Sequence, residues 1–80
     1  MKIRAMTKYE RGVVEKILSP FITMKLEGGS REEENGKIIY HLCIIHSNRK
    51  DVSCEVKRVG NAIKGKLWAD EVYLLGQRIA

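Results

Sequence analysis

From Lys37 to Ala69 the chain offers three runs with the side-chain pattern of strands, joined by turn signals, and no other stretch constrains the fold as tightly. Lys37–Ser47 is apolar on both faces, as a strand in the middle of a sheet is. Val52–Val59 alternates, Gly60-Asn61 is a tight-hairpin dipeptide, and Ala62–Ala69 alternates again. With Val59 opposite Ala62, Val56 falls opposite Gly65 and Cys54 opposite Leu67. One face then collects Cys43, Ile45, Val52, Cys54, Val56, Ile63, Leu67 and Ala69. The other collects Tyr40, Lys57, Lys64, Lys66 and Trp68. A one-residue slip would carry a whole set across the sheet, so this agreement supports the register.

Ahead of this region lies a helix signal. Thr7-Lys8-Tyr9-Glu10 matches a capping box, in which the Thr7 hydroxyl accepts from the Glu10 amide and the Glu10 carboxylate accepts from the Thr7 amide. Val13, Val14, Ile17 and Leu18 form one apolar stripe, with Tyr9 a turn before Val13, and Ser19-Pro20 ends the helix near Leu18. Met1–Met6 reads as a short edge strand or a loose tail. Phe21–Glu27 alternates as a strand and Gly28-Gly29-Ser30 breaks it. Glu32-Glu33-Glu34 is expected on a solvated loop tip before the Asn35-Gly36 turn. Val72–Arg78 reads as a last strand or as a helical turn ending at Gly76, the strand being preferred.

Residues 1–80 are expected to form a single domain. A chain of 80 residues buries only about 60% of its unfolded surface, which leaves little room for a deep catalytic cleft. The fold class expected is α+β: an N-terminal helix packed on a curved antiparallel sheet of four or five strands. No apolar run reaches the roughly 18 residues of a spanning helix, and no apolar signal core follows the charged N-terminus. A cytoplasmic protein without a membrane partner is therefore expected.

The candidate chemistry is sparse. His41, Cys43, His46 and Cys54 are zinc-type ligands, but on a strand His46 points away from His41 and Cys43, and the chain has no C-x-x-C pair. No metal and no cofactor is expected. Cys43 and Cys54 fall on the face assigned to the core, where apolar surroundings suppress thiol reactivity. Whether the two approach each other depends on the register. Asp70-Glu71 diverges on a strand and makes a poor acid–base dyad. The expectation is a protein that is not an enzyme.

Charge gives a positive lead. The chain carries 15 Lys/Arg against 10 Asp/Glu, a net charge of +5. Residues 1–34 hold seven basic against six acidic residues, and residues 35–80 hold eight against four. Cations on a sheet face beside Tyr40 and Trp68 suit RNA or single-stranded DNA, with lysines at phosphates and rings on unpaired bases. Arg49 and Lys50 extend the track at the hairpin tip. The bland reading makes these lysines a solvated surface. The alternative function is a protein-interaction module, an adaptor or inhibitor of a larger protein, or a homo-oligomer that uses an apolar sheet face of Ile38, Tyr40, Leu42 and Ile44.

A helix followed by four or five curved antiparallel strands in about 80 residues resembles the Sm-like fold, a small SH3-type barrel. The overlap is one of topology and length. Ile63-Lys64-Gly65 sits near the family's Arg-Gly pair with Lys in place of Arg, and the family's first motif has no counterpart. No binding residue carries over. The resemblance implies RNA binding and a ring assembly as expectations.

Overall fold

A computed structural model describes residues 2–21, 24–46 and 53–80, with the side chains of 45, 46 and 53–55 left aside. The element order is β1 (Lys2–Ala5), α1 (Lys8–Leu18), β2 (Met24–Glu34), β3 (Lys37–His46), α2 (Ser53–Lys66), β4 (Glu71–Leu74) and β5 (Gln77–Arg78). The strands form one five-stranded sheet in the order β1-β2-β3-β4-β5. All neighbours are antiparallel except β3 and β4, which run parallel. This is an α+β fold with the expected N-terminal helix on a mostly antiparallel sheet, plus one further helix. The sheet order is linear, with β1 and β5 at its edges, so it lacks the closure of a barrel.

The second helix is a correction. Residues 53–66 are helical, so the hairpin at Gly60-Asn61 and its register do not exist. The sequence carries two periods at once here, and the helical one prevails. Val59, Ile63 and Leu67 follow one another at four-residue spacing and are all buried, whereas Lys57, Arg58 and Lys66 are exposed. Gly60 lies inside the helix because the C-terminal segment packs against it. A Cβ there would meet the Ile79 side chain at 2.9 Å. The helix also supplies the long crossover that a parallel β3–β4 pair requires.

Both helices lie on one face of the sheet, α1 against β2 and α2, and α2 against β4. The core between the layers is built from Val14, Leu18, Tyr40, Leu42, Ile44, Val59, Ile63 and Val72, with Met6, Met24, Leu26, Leu67 and Ala69 around them. Tyr40, Leu42 and Ile44 are thus the core face of β3, and Ile38 packs at its margin. Cys43, expected in the core, is a free thiol on the opposite, uncovered face. Because β3 is apolar on both sides, its own pattern could not decide which side the helices would cover.

Other readings stand. Asn35 and Gly36 have φ of 52° and 80° in the turn between β2 and β3, the left-handed pair that a two-residue hairpin needs. β1 is an edge strand. The preferred strand at Val72–Arg78 is the β4–β5 hairpin, turning at Leu75-Gly76. The Gly28-Gly29 break and the acidic loop tip are corrected, since β2 runs through both. A register shift between Leu26 and Gly28 absorbs the irregularity, and Glu32, Glu33 and Glu34 pair with Ile39, Ile38 and Lys37.

The two glycines that follow this shift are not equivalent. A Cβ on Gly29 would lie 2.8 Å from the His41 carbonyl oxygen and 3.0 Å from the Met6 methyl, whereas one on Gly28 meets nothing within 4 Å. Gly29→Ala is expected to destabilise the fold by about 1–3 kcal/mol. Gly28→Ala should stay within about 0.5 kcal/mol of the parent. Urea midpoints of the two variants check the contrast.

Candidate nucleic-acid interface

The α1 capping box forms as the sequence indicates, and it does more than cap. Thr7 Oγ1 accepts from the Glu10 amide at 3.2 Å, and Glu10 Oε1 accepts from the Thr7 amide at 2.8 Å. The same carboxylate faces the sheet. There Arg4, Arg31 and Tyr40 pair across β1, β2 and β3 in one row on the helix side. Arg4 donates to both Glu10 oxygens, at 2.6 and 3.2 Å, and the Tyr40 hydroxyl donates to Oε2. Arg31 Nε lies 3.9 Å from that oxygen. Glu10 is the one buried charged residue among the described residues.

These partners decide its protonation. Burial pushes the Glu10 carboxyl up, but the Arg4 hydrogen bonds, the Thr7 amide and the Tyr40 hydroxyl together outweigh burial and hold it at about 2. Tyr40 moves the other way. Burial and then the bond to the Glu10 carboxylate push its hydroxyl up to about 12.

A groove of about 340 Å³ opens above this cluster. Its walls are Arg4, Thr7, Tyr9, Glu10, Arg31, Tyr40, Lys66, Leu67 and Trp68, drawn from the start of α1, the end of α2 and the row of the sheet beneath them. Tyr40 sits at the bottom with its ring 2% exposed, so it cannot serve as a stacking platform. The two accessible rings are Tyr9, 73% exposed, and Trp68, 86% exposed.

Trp68 is held in place by the end of α2. The Leu67 amide donates to the Ile63 carbonyl at 2.9 Å and the Ala69 amide to the Lys64 carbonyl at 3.0 Å. The second bond is the six-to-one closure of a Schellman motif and puts Trp68 at its left-handed position, with φ of 55°. Glycine is the usual residue there, because a side chain in this region costs about 1–2 kcal/mol. Leu67 before it and Ala69 after it are buried, which fixes the backbone on both sides of the outward-pointing indole.

The residues singled out from sequence divide accordingly. Lys66 and Trp68 meet in the groove. Lys57 and Lys64 lie seven residues apart along another stripe of α2. Lys64 and Lys66, two residues apart, diverge by about 200° around the axis rather than sharing a sheet face. Tyr40 is core. Arg49 and Lys50 lie outside the described residues. Arg4, Tyr9 and Arg31, which line the same groove as Lys66 and Trp68, were not among those singled out. Tyr9 was legible as a helix residue, but nothing local placed it beside the end of a second helix.

The uncovered sheet face differs in character. Ala5, Ser30, His41, Tyr73 and Arg78 form a row across all five strands. His41 stacks on Tyr73 with centroids 5.3 Å apart, and its Nε2 lies 3.3 Å from Glu32. The Tyr73 hydroxyl donates to Glu71 at 2.9 Å, and Lys37 and Arg78 flank the same carboxylate at 3.6 and 3.9 Å. Asp70 accepts from the Ile38 amide at 2.8 Å. The acidic pair Asp70-Glu71 is thus occupied in holding β3 and β4 together. Among the described residues no three metal-ligating side chains converge, and no helix is long and apolar enough to cross a membrane.

Compared with known proteins, no family model matches this chain, nor does any curated protein or solved structure.

The Glu10 cluster sets the pH response. The carboxyl ionises at about 2 when folded against an ordinary 4.5, so its contribution is complete above pH 4.5 and is lost as the pH falls toward 2. Tyr40, held at about 12 against an ordinary 10.0, contributes fully below pH 10 and loses its contribution as the pH rises toward 12. Glu10→Gln is expected to lower stability at neutral pH by about 2–4 kcal/mol and to flatten the acid limb. Chemical denaturation from pH 2 to 7 tests this, and an unchanged acid limb in the variant would contradict it.

Proposed function

We propose that this protein is a small, non-catalytic binding module for single-stranded nucleic acid, RNA or DNA, and that the strand enters the Tyr9–Trp68 groove. The observation that carries this reading is Trp68 itself. A large aromatic side chain occupies a left-handed helix terminus where glycine relieves strain, and it spends that position pointing almost fully into solvent. Packing does not account for it, and strained residues of this kind concentrate at functional sites. The surroundings supply the rest of the chemistry. Lys66 stands at the rim for phosphates, and Tyr9 offers a second π-face. Glu10 faces the groove from below, but its charge is already matched by Arg4 and Arg31. The sheet face imagined from sequence is replaced as the platform by the junction of two helix ends.

A protein partner is the second reading, and one observation favours it: among the described residues, no element covers the sheet face away from the helices. It presents Ile3, 60% exposed, in a row with Glu32, Ile39 and Glu71. Its carboxylates disfavour nucleic acid and suit a polar protein surface. The apolar set Ile38, Tyr40, Leu42 and Ile44 cannot serve that role, since the helices cover it.

One substitution separates a functional Trp68 from a structural one. Trp68→Gly is expected to raise stability by about 1 kcal/mol through relief of the left-handed strain. The same change is expected to weaken binding of a short oligo-dT or oligo-U at least about tenfold. Lys66→Glu should also weaken binding and reduce its salt dependence. Thermal melts, and anisotropy titrations of a dye-labelled oligonucleotide at two salt concentrations, measure both. Salt-independent binding, or full affinity without the indole, rejects the proposal. A mass in solution that rises with concentration while oligonucleotides fail to bind favours the second reading.

A further inference from the structure

We infer that the cleft between α1 and α2 is a second subsite that takes the next nucleotide of the strand held at Trp68; this rests on the function proposed above. The cleft is a separate groove of about 340 Å³ lined by Val13, Lys16, Ile17 and Lys66. Its floor is apolar, with Val13 and Ile17 half-buried against the core, and its rims are two exposed lysines. No carboxylate lines it among the described residues.

Two observations fix the occupant. Lys66 lines both this cleft and the Tyr9–Trp68 groove, so the two adjoin along one residue. Tyr9, Val13, Lys16 and Ile17 follow one another along one stripe of α1. That stripe spans about 12 Å at 1.5 Å per residue. Phosphates on one strand advance about 3.4 Å per residue along a duplex axis, and further when the strand is extended. The track therefore accommodates about three nucleotides, two stacked on Tyr9 and Trp68 and the third in the cleft. An apolar floor between lysines matches a nucleotide in particular: the base lies on Val13 and Ile17, and its phosphates meet Lys16 and Lys66. The Tyr9–Trp68 groove supplies ring stacking at one end, and the cleft supplies depth and charge at the other.

Oligo-dT of two, four and six nucleotides, titrated into the full chain, tests this. Trp68 fluorescence reports the first groove, and the methyl resonances of Val13 and Ile17 report the cleft. Two nucleotides are expected to change the Trp68 signal alone. Four are expected to move both signals and to bind at least about tenfold more tightly, with little further gain at six. Lys16→Glu, at an exposed position checked by a thermal melt, should lower tetranucleotide affinity about fivefold and leave the dinucleotide unaffected. Val13 and Ile17 resonances that stay still at every length while Trp68 responds overturn the subsite and leave the proposed function standing. Failure of every length to perturb Trp68 overturns the function itself. Movement of the cleft resonances by an acidic amphipathic peptide, with none caused by oligonucleotides, overturns the nucleotide assignment in favour of a protein partner.

Discussion

Everything in this small domain is arranged around the carboxylate of Glu10. It closes the first turn of α1, and it receives Arg4 from β1 and Tyr40 from β3. Arg31 of β2 lies nearby. One side chain thus fixes where the helix sits on three strands. A lone buried charge would be costly, and this one is tolerated because nearly every lone pair has a donor. The groove above it inherits that rigidity, since its floor and two of its cations belong to the same cluster.

The parts of the fold legible in the sequence are those whose chemistry is local. The Thr7–Glu10 box, the stop at Ser19-Pro20, the Asn35-Gly36 turn and the central β3 each rest on contacts within a few residues. The illegible parts depend on partners far along the chain. Residues 53–69 satisfy both a two-residue and a near-four-residue period, and only the need to bury Val59, Ile63 and Leu67 beneath a crossover decides between them. Gly60 looked like a turn glycine and is a packing glycine, because Ile79 occupies the space beside it. The same mistake put Lys57, Lys64, Lys66 and Trp68 on one sheet face. Only Lys66 and Trp68 stay together, since the helix terminus brings both to the same rim.

The two faces of the sandwich differ in how their polar groups are used. On the open face His41, Tyr73, Glu32, Glu71 and Arg78 mostly satisfy one another. At the helix ends, Tyr9, Lys66 and Trp68 reach outward beside a cluster whose charges are already matched. This difference, more than overall basicity, favours the helix-end groove over the open face for the nucleic-acid binding proposed above.

The parallel pairing of β3 with β4 also bears on how the chain assembles. β1, α1, β2 and β3 join through short connections, and β2 meets β3 across a tight turn. β4 follows α2 in the chain, so Ile39 pairs with Glu71 32 positions on, a span close to the 31 between Lys2 and Glu33 at the other edge. Contacts of such separation slow folding. Without β4, one edge of the apolar strand β3 is unpaired. Docking of the four-residue β4 therefore closes an edge that would otherwise invite pairing with neighbouring chains.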